Sequence, residues 1–189
     1  MTKIKYLIIF LFVVYNTNSQ TEQLISIDSL NVIYAQNYNF KKNTSPNEFS
    51  VTAHKFLKLL NSQRLIYKSL TKKNLLLNNK YDIDALDFFQ AKTYMDLMVY
   101  GNIKNNIDSI QLYKTKVSNI TSDSILIGQS YGKSAFTYLK NNMFSKAIID
   151  YQIASTYFKN SKKPGSQNSQ ITNFINLINT HIVIGTLEQ

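Results

Sequence analysis

Proton-transfer chemistry near neutral pH would fall to two histidines and one acidic cluster. His54 and His181 stand 127 residues apart, and neither has an acidic ligand at helical spacing beside it. An imidazole needs an orienting partner or a second ligand before it acts as a base or holds a metal. Both are therefore expected to be helix-face residues. Asp82, Asp84 and Asp87 lie close together and could pair as general acid and base. They also sit where a helix begins, where carboxylates stabilise the dipole, and that role is the expected one. The chain has no cysteine. Disulfides, a thiolate nucleophile and thiolate metal sites are thereby excluded. No glycine-rich phosphate cradle, histidine-rich metal spacing or nucleophile elbow is present. The expectation is a protein that is not an enzyme, with no cofactor and no metal site.

Charge points elsewhere at first sight. The 189 residues carry 21 Lys+Arg against 11 Asp+Glu, a formal net charge of +10. Arg64 is the only arginine, and the lysines are scattered singly or in pairs. Base edges and phosphates are read best by the arginine fork, so no nucleic-acid binding is expected of this segment. A hydrophobic content of 44% supports a packed core.

The elements that would position a binding surface centre on Tyr131 to Ala154. Tyr131, Ala135 and Tyr138 follow the i, i+4, i+7 spacing of one helix face. Asn141 and Asn142 break the pattern. Ala147, Tyr151 and Ala154 repeat it in a second helix, which the short connection turns antiparallel to the first. Ala135, Ala147 and Ala154 let the two backbones approach, while the tyrosines and Phe144 fill the space beside them. In order and spacing, Tyr131, Ala135, Tyr138, Phe144, Ala147, Tyr151 and Ala154 resemble a tetratricopeptide repeat. Asn142 stands where that family usually has Gly, and Asn also tolerates the left-handed conformation the turn needs. The resemblance implies an all-α chain of antiparallel helical hairpins stacked as a short tetratricopeptide-like α-solenoid.

Read in order, residues 1–19 resemble a secretory signal peptide. Lys3 and Lys5 precede the apolar run Tyr6 to Tyr15, and Thr17 and Ser19 suit a cut before Gln20. Cleavage would remove two lysines and no acid, taking the net charge from +10 to +8. The protein is then exported, periplasmic or secreted. An uncleaved leader anchoring it in the inner membrane is the second reading, and no other membrane span is expected. No cysteine follows the leader, which excludes a lipoprotein. Residues 20–44 are a short helix and linker, with Leu30, Ile33, Tyr34 and Tyr38 periodic. Residues 45–80 are an irregular helical region. It opens on Ser45-Pro46-Asn47-Glu48, a capping box, is interrupted at Asn61-Ser62 and breaks at Asn78-Asn79. Residues 81–121 form a degenerate hairpin. Asp82 or Asp84 caps its first helix, Phe88, Ala91, Met95 and Met98 are its periodic positions, and Gly101-Asn102-Ile103 is its turn. Residues 122–163 are the best hairpin, capped by Ser122. Residues 164–189 open with a polar loop through Gln170, then an incomplete hairpin whose turn is Gly185. The turns recur 41 and 43 residues apart, longer than the family's usual 34.

The resemblance also implies where a ligand would lie. First helices of successive hairpins line a groove that holds peptides in this family. Carried over by position, the groove comprises Lys92, Met95, Lys133, Phe136, Lys140, Thr172, Asn176 and Asn179. Met95 and Phe136 occupy places where a chaperone-type carboxylate clamp would have Asn, so that clamp is not expected. The implied partner is a protein or peptide, acidic in character. Ile178, Ile182 and Val183 form an apolar stripe with no second helix to cover it, which predicts self-association through the incomplete C-terminal repeat. The alternative function is the N-terminal sensory part of a tetratricopeptide-containing transcriptional regulator or sensor kinase. The leader, the weak early helices and the long repeats resemble those of Bacteroidetes-type proteins of this kind.

Overall fold

The computed structural model describes residues 24–40, 44–72, 83–100 and 108–187. Among these residues the chain is all-α, with no strand. The helices are α1 (Ile27–Phe40), α2 (Pro46–Lys72), α3 (Ile83–Tyr100), α4 (Asp108–Ile120), α5 (Ser124–Lys140), α6 (Phe144–Asn160) and α7 (Ser166–Leu187). The leader, the break at Asn78-Asn79, Asp82 and the turn at Gly101-Asn102-Ile103 lie outside the described residues. No described helix is long and apolar enough to cross a membrane.

The most extensive helix contact is between α5 and α6, and its cause is local. Ala135, Tyr138, Ala147, Tyr151 and Ala154 are all fully buried. The alanines bring the backbones together and the tyrosine rings fill the flanks. Asn142 makes the turn at φ 59°, the left-handed conformation that Asn adopts more readily than most residues. Its N–H and that of Met143 donate to Leu139 and Tyr138 carbonyls at 3.0 and 2.9 Å, closing the end of α5. At the other end of the hairpin Gly128 admits Phe158. A Cβ there would lie 2.6 Å from the ring, so only glycine permits this approach.

Several boundaries differ from the sequence expectation. Asn61-Ser62 does not interrupt α2, which is continuous over 27 residues. Asn61 Oδ1 instead accepts a 2.5 Å bond from Gln90 Nε2 on α3, so its polarity serves a helix–helix contact. The capping box at the start of α2 is present, with Glu48 N donating to Ser45 Oγ at 3.3 Å and Ser45 N to Glu48 Oε2 at 3.1 Å. Asp123, not Ser122, caps α5, its carboxylate accepting from Ile125 N at 2.8 Å. The polar loop expected through Gln170 ends early, because Gly165 at φ 84° turns the chain and α7 starts at Ser166. Gly185 is not a turn. It lies inside α7, exposed, where a single glycine costs a helix only about 1 kcal/mol.

The core has two parts. The larger gathers Phe49, Ala53 and Leu57 of α2 with residues of α3 to α6, including Met98, Val117 and Tyr138. The smaller joins Leu30 and Ile33 of α1 to Phe56, Leu60, Leu86 and Phe89. α3 serves both and is buried on most of its circumference. That burial shifts one expected position. Phe89 is 2% exposed in the core, while Phe88, expected as a periodic core residue, is 40% exposed.

Candidate binding surfaces

α5 carries two lysines and no acid over its whole length. Gln129, Lys133, Phe136 and Lys140 recur at i, i+4, i+7 and i+11 and therefore share one face. Phe136 is half-buried on this face, and Lys140 places its ammonium 4.5 Å from the Phe136 ring centre. Lys133 is exposed one turn earlier. The strip continues onto α3, where Lys92 Nζ donates to Gln129 Oε1 at 2.8 Å. The same ammonium lies 5.6 Å from the Phe88 ring. Two aromatic rings, each with a lysine against it, thus lie along one α3–α5 surface. The arrangement suits a partner that brings carboxylates to the ammonium groups and an apolar side chain to the rings.

Of the eight residues assigned to the groove, Lys133, Phe136 and Lys140 share one face of α5, and Lys92 reaches that face at Gln129. Met95 does not belong with them. It is 3% exposed in the main core, because α3 is covered on the side that a groove would need open. Thr172, Asn176 and Asn179 share one flank of α7, and the approach of α7 to α5 runs instead through Asn173. A Cβ on Gly132 would lie 3.5 Å from Asn173 Oδ1. Phe88 was missed as a surface residue because Phe88-Phe89 offers two adjacent rings to one helical phase, and spacing alone favours neither.

α7 presents a second surface, and its polarity is reversed. Its two buried residues, Asn173 and Thr180, lie two turns apart on one face, and the half-buried Leu177 packs against the core between them. Asn173 Nδ2 donates to the Tyr151 carbonyl and to Ser155 Oγ, both at 2.7 Å. Thr180 Oγ1 returns to the Asn176 carbonyl at 2.8 Å. Successive residues turn by about 100°, so Ile171, Ile175, Ile178 and Ile182 lie on the side opposite Asn173. They are 52%, 51%, 43% and 56% exposed, with Phe174 beside them at 57%. A helix normally buries its apolar stripe and exposes its polar one.

The remaining polar clusters join one helix to another. Lys114 Nζ on α4 donates to both carboxylate oxygens of Asp150 on α6, at 2.9 and 2.8 Å, and Ser134 Oγ of α5 adds a third bond at 2.5 Å. The ammonium also lies 4.7 Å from the Tyr131 ring. Lys114 and Asp150 are both buried, so the charges satisfy each other away from water. Asp87 pairs with Arg64 of α2, which also donates to Gln90 Oε1 at 2.7 Å. Its role is thus an ion pair between helices rather than dipole stabilisation alone. His54 is exposed, with Nδ1 2.8 Å from the Ser50 carbonyl and Nε2 3.4 Å from Tyr113 Oη. His181 is exposed on α7. Burial, then the charge of Asp96, raises the Tyr34 hydroxyl well above its usual range, and it donates to Asp96 Oδ2 at 3.0 Å. No group of three or more metal-ligating side chains occurs among the described residues. Comparison with protein-family models, with curated proteins and with solved structures finds no match.

Proposed function

We propose that the chain is an exported, non-enzymatic helical-repeat module that binds a protein or peptide carrying acidic side chains. The α5 strip supports this reading most directly. Lys133, Phe136 and Lys140 follow one another on a helix with no carboxylate to neutralise them. The tightly packed α5–α6 hairpin holds that strip on a rigid support, and it is also the part that resembles a tetratricopeptide repeat. Phe136 is the anchor, since aromatic side chains that become desolvated dominate such interfaces. The lysines set the association rate and its salt dependence, because exposed charges are screened beyond about 8 Å at physiological ionic strength.

The test is a titration of the purified protein with labelled peptides of matched length, one rich in Asp/Glu and Phe/Leu, one with Lys in place of the acids. The acidic peptide is expected to bind and the basic one not. Phe136→Ala should weaken binding about tenfold, equivalent to about 1.4 kcal/mol. Lys133→Glu should instead slow association and flatten its salt dependence. Circular dichroism must show both variants folded. Equal binding by wild type and both variants would remove the α5 strip from consideration.

A further inference from the structure

We infer that the outward face of α7 is the contact surface for a second copy of this chain, packed antiparallel, α7 against α7. Three observations converge on that occupant. The first is the reversed polarity of the helix. Asn173 and Thr180 face inward, and Ile171, Phe174, Ile175, Ile178 and Ile182 are each 43% to 57% exposed. The second is charge. α7 runs from Ser166 to Leu187 without one Asp, Glu, Lys or Arg, and every other described helix carries at least one. Two copies of so basic a chain, +10 whole or +8 without residues 1–19, repel each other, and a face without lysine is where they approach at least cost.

The third is the spacing. Ile171, Ile175, Ile178 and Ile182 follow intervals of four, three and four residues. That series reads the same in both directions. An antiparallel pair crossing between Asn176 and Leu177 therefore sets Ile171 opposite Ile182 of the second copy, and Ile175 opposite its Ile178. A two-fold contact requires this self-complementarity. Neutral Thr172 and Asn179 lie at the rim. The face is small. Five side chains from each copy, each about half exposed, make a contact of the weak, reversible class that lies below about 1,200 Å².

Other occupants fit less well. A helix that lies on a lipid surface sets Lys and Arg on its polar face, whereas α7 has neither. An acidic partner would find no Lys or Arg on α7.

The chain lacks cysteine, so single cysteines report geometry cleanly. Analytical ultracentrifugation of the full chain should show a concentration-dependent dimer. Ile175→Asp should shift that equilibrium toward monomer at least tenfold. Val51→Asp, an exposed position on α2, should leave it unchanged. Circular dichroism controls for folding. Under mild oxidation, Ile171→Cys mixed with Ile182→Cys should cross-link to a heterodimer far faster than either variant alone. Like cysteines in the antiparallel pair lie about 16 Å apart along the axis. A monomer at all concentrations would overturn the proposal. So would association indifferent to Ile175→Asp, or self-cross-linking of Ile171→Cys as fast as the mixture. Loss of the dimer to neutral phosphatidylcholine vesicles would assign the face to lipid instead.

Discussion

Ala147 illustrates how much one methyl group decides in this chain. It is fully buried in the α5–α6 contact, and a larger side chain there would force the two helices apart at a cost of roughly 1–3 kcal/mol. Lys146, its neighbour, is exposed. Ala147→Leu should lower the thermal midpoint clearly and Lys146→Leu should leave it nearly unchanged, read by circular dichroism melts. Equal shifts would place Ala147 on the surface. Asp123 acts through charge rather than volume. Burial pushes its carboxyl up, but the Lys163 ammonium at 2.8 Å and the Ile125 N–H outweigh this, and the net effect lies below the ordinary value of 3.8. A depressed value in the folded state means stability that is present above 3.8 and lost as pH falls through the folded value. Asp123→Asn keeps the cap and removes the titration. Its melting midpoint should therefore fall less steeply than wild type between neutral pH and the acid limb. Parallel curves for the two proteins would exclude Asp123 as a source of that slope.

At the scale of elements, the features carried by local chemistry were legible in the sequence. The Ser45–Glu48 capping box, the buried Ala/Tyr ladder of α5 and α6 and the positive φ of Asn142 each follow from two or three neighbouring residues. Positions decided by distant neighbours were not. Asn61-Ser62 looks like a break until Gln90 supplies its partner from α3. Met95 looks like a groove residue until the two cores enclose α3 on both sides. Gly185 looks like a turn because periodicity cannot tell a helix-terminating glycine from an exposed one within a helix. Among the groove residues, Lys133, Phe136 and Lys140 fall on one face because they share a helix, whereas the places of Lys92, Met95 and the α7 residues depend on how helices pack. Gly128 was invisible for its purpose. Its hydrogen faces the Phe158 ring at the far end of the hairpin, so Gly128→Ala must displace that ring. The expected loss is roughly 1–3 kcal/mol, measured by urea unfolding, and Phe158→Leu in the same chain should recover part of it. An unchanged midpoint for Gly128→Ala would mean the close approach is not maintained in solution.

Across the molecule, the Lys114–Asp150–Ser134 cluster ties three helices together, α4, α5 and α6. Breaking it by Asp150→Ala leaves an ammonium buried without a counter-charge and should cost about 3–5 kcal/mol in denaturant unfolding. Replacing both charges, Lys114→Met with Asp150→Leu, should recover most of that loss, since a well-packed apolar pair of similar volume is often as stable. A double variant as unstable as the single one would show that the pair carries stability itself. If it recovers, the pair serves another purpose. A slip of one turn would move α4 by about 5.4 Å along its axis, parting Lys114 from Asp150. A docking displaced in that way would leave two charges unpaired, so the pair disfavours neighbouring registers of α4 on the hairpin.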